Sequence, residues 1–182
     1  MSGDSVSVAA EAMSSMTSAG IDALPYETGG ILAGFRTERG IVVTRAAVVS
    51  SDNRSRAEYT LVKRRAMDEL VRLRASASKV VGFVGDWHTH PADVPPSSTD
   101  IGSLRTTAKH ANDVIALLVL PFVLTQPRPT HVLLGTRSRS SSRWRGRVDV
   151  RPGRLEIRPE SASELEKLAE ESLQMSKRNW DD

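Results

Sequence analysis

The sequence predicts an α/β protein, one mixed β-sheet sandwiched by helices in a single domain. Short β-branched apolar runs, bounded by glycine, proline or polar turns, alternate along the chain with longer segments of helical periodicity. That alternation argues for a sheet with helices packed on it rather than a helical bundle or a pure β sandwich. A length of 182 residues with 39% hydrophobic content suits one domain with a real core. There is no internal repeat and no heptad array.

In order, Val6 to Ala19 is alanine-rich, and Val6, Ala9, Ala10, Met13 and Met16 suit one face of a helix that Gly20 can end. The Gly29-Gly30 pair opens an apolar strand from Ile31 to Phe35. Thr37-Glu38-Arg39-Gly40 is a turn, and Ile41 to Val49 is a second strand, so the two read as a hairpin. Ser50 to Glu58 is polar loop. Tyr59 to Ala75 has helical spacing, with Leu61, Met67, Leu70, Val71 and Leu73 on one side. Lys79 to Val84 starts a buried strand that runs into Gly85-Asp86-Trp87-His88-Thr89-His90-Pro91. Ser97 or Ser98 can cap a helix running to about Ala111, with Asp100 in its first turn. Asp113 to Leu120 and His131 to Gly135 read as strands across a proline-containing connector, and Arg143 to Val150 as a further one. Ser161 to Lys177 has the pattern of an amphipathic helix carrying Leu165, Leu168, Leu173 and Met175. The chain divides into a main domain over residues 1–155 and a C-terminal amphipathic helix over 156–182. That helix either completes the same domain or binds a partner.

The bulk numbers exclude several classes. The formal net charge is only +3, so basic character is local, and cysteine is absent. Without cysteine there are no disulfides, no thiolate zinc site and no cysteine nucleophile. The first basic residue is Arg36, unlike the n-region of a signal peptide. The longest apolar run, Val114 to Leu124, is interrupted by Pro121 and too short for a bilayer core of about 30 Å. The expectation is a cytoplasmic protein with no membrane partner.

The chemistry concentrates at His88-Thr89-His90. Side chains at i and i+2 on a strand share a face, so the two imidazoles stand side by side and Thr89 turns away. Pro91 ends the strand, and the proline-rich loop returns Asp100 toward it. Two imidazoles and one carboxylate leave the fourth position of a tetrahedral zinc open, as in catalytic rather than structural sites. A lone strand histidine is usually core, and a first-turn aspartate often only complements the helix dipole. The pair followed by Ser-x-x-Asp is harder to explain that way. Asp86, two residues before His88 on the same face, can orient a ligand imidazole as an acceptor behind it, or simply end a strand. His110 and His131 lie far from this motif and read as surface or packing residues. Trp87 is expected on the opposite sheet face.

His-Thr-His-Pro, a proline-rich loop and Ser-x-x-Asp together resemble the signature of the JAMM/MPN zinc metalloproteases, isopeptidases that cut ubiquitin-like proteins from their targets. Tyr26-Glu27-Thr28-Gly29-Gly30-Ile31-Leu32-Ala33-Gly34 is similar to that family's glutamate segment, and the resemblance spans roughly Glu27 to Leu134. It implies an MPN/JAB-like, cytidine-deaminase-like architecture and one Zn²⁺ per chain held by His88, His90 and Asp100. It further implies Glu27 as general base and acid, and a serine hydroxyl donating to the oxyanion. Here His90 to Asp100 is ten residues, one fewer than the usual family spacing. Ser97 keeps the Ser-x-x-Asp relation, whereas Ser98 stands where counting from His90 places the serine. Ser97 is the candidate and Ser98 the alternative, and either could instead be only an N-cap.

The implied reaction is hydrolysis after the C-terminus of a ubiquitin-like protein, as maturation or deconjugation. An extended tail would add to a sheet edge with its terminal glycines beside the metal. The short domain with Asp86-Trp87 ahead of the histidines is similar to bacterial members. Those work beside ubiquitin-like conjugation enzymes, some in defence operons, or process sulfur-carrier proteins. Two readings of other classes remain. One is a noncatalytic MPN scaffold, against which the retained ligand set argues. The other is a nucleic-acid-binding accessory protein using the Arg137, Arg139, Arg143, Arg145, Arg147, Arg151 and Arg154 run. That run carries Trp144 but lacks the repeated aromatics of a single-strand stacking platform, so nucleic acid is the less favoured partner.

Overall fold

The structure is a computed structural model that describes residues 3–52, 55–111, 113–137 and 147–178. Its spine is a sheet in the order β8-β7-β5-β4-β2-β3-β1-β9. The strands are β1 (Ser5–Ala9), β2 (Gly29–Thr37), β3 (Gly40–Val48), β4 (Gly82–His90), β5 (Ile115–Val123), β7 (His131–Arg137), β8 (Val148–Pro152) and β9 (Arg154–Arg158). A two-residue β6 (Gln126–Pro127) folds back on the end of β5. The sheet is mixed: β1 runs parallel to both β3 and β9, and β4 parallel to β5, while the remaining pairs are antiparallel. Among the described residues four helices cover it, α1 (Ala10–Ala23), α2 (Lys63–Ala75), α3 (Ser98–Ala111) and α4 (Ala162–Arg178). This is the mixed α/β single domain that the sequence predicts.

Two faces of the sheet carry separate cores. On one, α1 packs Ala12 and Met16 against Val6, Val8, Trp87, Leu118 and Phe122. On the other, α3 contributes Leu104 and Ala108 against Ile115, Leu117 and Val119, while α2 adds Ala66, Leu70 and Leu73 against Ile31 and Val49. Among the described residues, Trp87 and Phe122 are the largest fully buried side chains. Burying such a group is worth roughly 1.5–3 kcal/mol, so they anchor the α1 face. Trp87 lies there as expected, and its indole N–H donates to the Ala47 carbonyl at 3.1 Å.

β4 does not alternate uniformly. Leu32 pairs with Gly85 but Ala33 pairs with Phe83, so Val84 is the extra residue of a bulge. Val84 thereby joins Trp87 on the α1 face, and Phe83 turns to the α2 and α3 side. A second irregularity on β3 sets Ala33 opposite Arg45 and Gly34 opposite Val43, leaving Thr44 as the bulged residue. Thr44 is buried and donates to Glu166 of α4 at 2.9 Å. Arg45 meets the same carboxylate at 2.8 Å, and the backbone N–H of Ser78 donates to it at 3.0 Å. With Leu165 in the main core, these contacts seat α4 on β3.

Several local expectations are corrected. Val6 to Ala9 is strand, because Ser5-Val6-Ser7-Val8 alternates with period two and fills the slot between β3 and β9. The alanines at Ala9 and Ala10 fit either state, and the helix starts only at Ala10. Gly20 does not end α1 but lies inside it. A Cβ there would stand 2.7 Å from Phe122 Cε2 and 2.9 Å from Thr89 Cγ2, so the glycine lets the helix approach β4 and β5. Tyr59 to Val62 precede α2 as loop, and Met67 and Val71 face solvent. β5 continues through Pro121 because its ladder to β4 ends there, opposite His90. β9 has no counterpart in the sequence reading. The expected strand from Arg143 falls partly outside the described residues, as do Arg139, Arg143, Trp144 and Arg145. Within the described part of the basic run, Arg151 pairs with Asp4 and Arg154 with Glu156. Among the described residues, no helix is long and apolar enough to cross a membrane.

Candidate metal centre

β4 is central in the sheet, and its C-terminal end delivers His88 and His90 to the face covered by α2 and α3. Both are nearly fully buried. α3 brings back Asp100 in its first turn, and the three side chains converge. His88 Nε2 lies 3.2 Å from His90 Nε2 and 3.2 Å from Asp100 Oδ1, and His90 Nε2 lies 3.5 Å from Asp100 Oδ2. Among the described residues this is the one group of three or more that could hold a metal. His110 is exposed on the last turn of α3 and His131 opens β7, both apart from it.

The donor set fits a zinc ion. Tetrahedral ligands at bonds of about 2.0–2.1 Å stand about 3.3–3.4 Å apart, which falls within the 3.2–3.5 Å separations seen. Tautomers agree as well. His90 Nδ1 lies 3.2 Å from the Val94 carbonyl, which can only accept, so that nitrogen carries the hydrogen. A neutral His90 then presents the Nε2 lone pair to the cluster. Lone pairs on two imidazoles and a carboxylate aimed at one point repel unless a cation, either a proton shared with Asp100 or a metal, sits among them.

The start of α3 fixes the carboxylate. Ser97 is its N-cap: its carbonyl accepts from the Ile101 N–H at 3.1 Å, and its Oγ accepts from the Asp100 N–H at 3.2 Å. Asp100 Oδ2 returns a bond from the Ser97 N–H at 2.6 Å, completing a capping box. Burial raises the Asp100 carboxyl, but hydrogen bonds from His88 and His90 outweigh this and hold it well below the usual range. For His90, burial lowers the imidazole while the Asp100 and Val94 hydrogen bonds and Glu27 more than reverse it. Ser97 is exposed at the loop end, and its hydroxyl hydrogen is not committed by the cap. Ser98 is the first residue of α3 and does not cap it.

Glu27 precedes β2, and its N–H donates to the Ser55 carbonyl at 2.8 Å. Thr28 and Thr89 then lock the strands together: the Thr89 N–H donates to the Thr28 carbonyl at 2.8 Å, and the Thr28 N–H to Thr89 Oγ1 at 3.0 Å. This register brings the half-buried Glu27 carboxyl into the field of His90, His88 and Asp100. Burial raises its pKa, the two histidines lower it, and Asp100 and Glu58 raise it again, leaving it above the ordinary value. A carboxylate of raised basicity in the field of the ligand cluster can take up and release a proton.

Asp86 lies on β4 two residues before His88. Burial pushes its carboxyl up to about 7, opposed by a hydrogen bond with Thr107 of α3. Its Oδ1 is buried without a partner. Sequence reading missed Tyr59, whose ring stacks on His88 with centroids 6.4 Å apart and planes at 17°. Its hydroxyl donates to the Val49 carbonyl at 2.7 Å, and burial together with nearby Asp86 raises its pKa well above the usual tyrosine range. Gly29 makes room for this packing, since a Cβ there would lie 2.8 Å from Tyr59 Cε1, 2.8 Å from His88 Cβ and 2.4 Å from the Trp87 carbonyl oxygen. A helical reading of residues 59–62 hid Tyr59, and the only signal for it was an aromatic beside polar loop residues.

Comparison with known proteins reaches the same region. A curated Vibrio cholerae serotype O1 protein described as a CD-NTase/cGAS isopeptidase is 33% identical over 101 residues, 53% of this chain. The match spans 63% of that relative's length, less than two thirds of it. The solution structure of a Desulfitobacterium hafniense protein superposes with a TM-score of 0.61 at 18% identity, covering 86% of this chain and 94% of the other. At that identity the likeness speaks for the fold alone. The family model for prokaryotic homologs of the JAB domain matches residues 9–146, which include Glu27, Asp86, His88, His90, Ser97 and Asp100. Because that match takes in most of the chain and the whole candidate centre, the chain belongs to the prokaryotic homologs of the JAB domain.

Proposed function

We propose that the chain is a zinc-dependent isopeptidase that hydrolyses the bond after the C-terminus of a ubiquitin-like protein. The observation that carries this is the convergence of His88, His90 and Asp100, with the Glu27 carboxyl within reach of their charges. One Zn²⁺ held by those three residues would supply Lewis-acid polarisation of the scissile carbonyl and an acidified water. Glu27 takes the proton from the attacking water and passes it to the departing amine as the C–N bond breaks. Carboxylate and amine are the products. The Ser97 hydroxyl, held at the helix start by the capping box, donates to the oxygen on which negative charge develops. The Val94 carbonyl keeps the His90 ring in the tautomer that leaves Nε2 free to bind.

The substrate class draws support from the isopeptidase named among the relatives. It comes to this chain as a proposal, with conjugation enzymes of the same system as further partners. The test has two parts. Elemental analysis of purified protein is expected to give about one zinc per chain, lost when His88 and His90 are both replaced by alanine. A ubiquitin-like protein carrying a C-terminal fusion is expected to be cut directly after its last residue, read by mass spectrometry. Absence of metal uptake would overturn the centre. Cleavage of unstructured peptides with the fusion left intact would overturn the substrate class.

A further inference from the structure

We infer that Asp86 and Tyr59 form an outer support of the metal centre, Asp86 as its second anion and Tyr59 as a wall that fixes the His88 ring. The inference rests on the metal reading above. The starting point is an imbalance. Asp86 is half-buried beside α3, where Thr107 hydrogen-bonds its carboxyl, yet its Oδ1 is sealed from solvent with no hydrogen-bond partner, and no lysine or arginine among the described residues pairs with it. A carboxylate with a sealed, unpartnered oxygen and no basic side chain beside it is disfavoured unless a cation lies close by.

The geometry names that cation's place. Asp86 and His88 share the β4 face opposite Trp87, one pleat repeat apart, or about 7 Å along the strand. Tyr59 joins them: its ring stands nearly parallel to the His88 imidazole with centroids 6.4 Å apart, and its hydroxyl is fixed on the Val49 carbonyl. On the side of β2, Gly29 closes the packing around Tyr59 and His88. A dication among His88, His90 and Asp100 would balance two half-buried carboxylates, one a ligand and the other a near neighbour. The Tyr59 ring prevents His88 from swinging away, so Nε2 stays directed at the cluster. Both act as positioning residues through His88 and the local field, without touching substrate.

This role and a purely structural one predict opposite signs. Removing a carboxylate whose sealed oxygen has no partner relieves the metal-free fold, whereas removing the counter-charge weakens metal binding. The experiment uses full-length chain, stripped of metal and titrated with zinc against a chromophoric chelator. It is paired with thermal melts of the stripped protein and the visible spectrum of the cobalt-loaded form. D86N and D86L are expected to bind zinc about 10–100-fold more weakly. The stripped D86N should melt no lower than wild type, and stripped D86L at or above it. Y59F, which keeps the ring, should stay within about threefold in affinity. Y59L should weaken zinc by about tenfold or more and alter the cobalt spectrum. Wild-type affinity in both Asp86 variants, or affinity and stripped-protein melting falling together in D86N, would overturn the inference while leaving the metal centre intact. Wild type that takes up no metal would instead remove the centre itself, and this support with it.

Discussion

The exposed serine at the start of α3 offers a separation of catalysis from stability. Ser97 Oγ caps the helix through a bond from the Asp100 N–H that is 3.2 Å long and open to solvent. Replacing an N-cap serine by alanine costs about 0.5–2 kcal/mol, and an exposed, long bond places Ser97→Ala in the lower half, at about 0.5–1 kcal/mol. At this chain length that is a fall of about 1–4 °C in melting temperature. The oxyanion role is larger: loss of one such donor costs about 10²–10³ in kcat, or roughly 2.7–4 kcal/mol. Cap loss alone is too small to explain that. Ser97→Gly sharpens the comparison, since glycine is within a few tenths of a kcal/mol of serine at an N-cap yet has no hydroxyl. Both variants should lose about 10²-fold or more in kcat with little change in KM, while Ser97→Gly keeps near-wild-type melting. Ser98→Ala should change neither by much, because Ser98 is not the cap. The assay is cleavage of a ubiquitin-like fusion by zinc-loaded enzyme, beside thermal melts of the same preparations. Ser97 variants with kcat within threefold of wild type would reduce Ser97 to a cap. A loss confined to Ser98→Ala would mean the shortened loop had moved the catalytic hydroxyl by one residue.

Glu27→Gln should abolish turnover while elemental analysis still gives about one zinc per chain, because the carboxylate lies in the field of the ligand cluster without belonging to it; loss of zinc would make it a ligand. Glu166→Gln should destabilise by roughly 2–3 kcal/mol in urea unfolding, since it leaves Arg45 without its buried partner, and a change below 0.5 kcal/mol would show the contact to be idle; the range is discounted because Arg45 keeps 23% side-chain exposure. Burial raises the Glu166 carboxyl, but its bonds to Arg45, Ser78 and Thr44 prevail and depress it. Its stabilisation is therefore present above the ordinary value of about 4.5 and lost as pH falls through the lower folded value, so the wild-type advantage over Glu166→Gln should shrink in acid. Gly20→Ala should destabilise despite a helix-propensity gain of about 1 kcal/mol, because overpacking against Phe122 and Thr89 costs about 1–3 kcal/mol; a higher melting temperature would refute the close approach.

What the sequence determined by itself was local. Period-two spacing put His88 and His90 on one face with Trp87 on the other, and a Ser-x-x-Asp at a helix start brought its own capping geometry. These follow from backbone periodicity and from bonds spanning three residues, which need no distant partner. The hairpin of β2 and β3 and the last helix were legible for the same reason. What the tertiary structure decided was everything set by non-local neighbours. Ser5–Ala9 became strand because β3 and β9 flank it, although its alanines suit a helix. The Val84 bulge reversed the faces of Phe83 and Val84, which no count of residues predicts. Tyr59 reached His88 only because Gly29 leaves space and Val49 offers a carbonyl. The convergence of His88, His90 and Asp100 itself depends on α3 folding back over β4. Spacing permits that approach, and only the packing of Leu104 and Ala108 against β5 sets its distance.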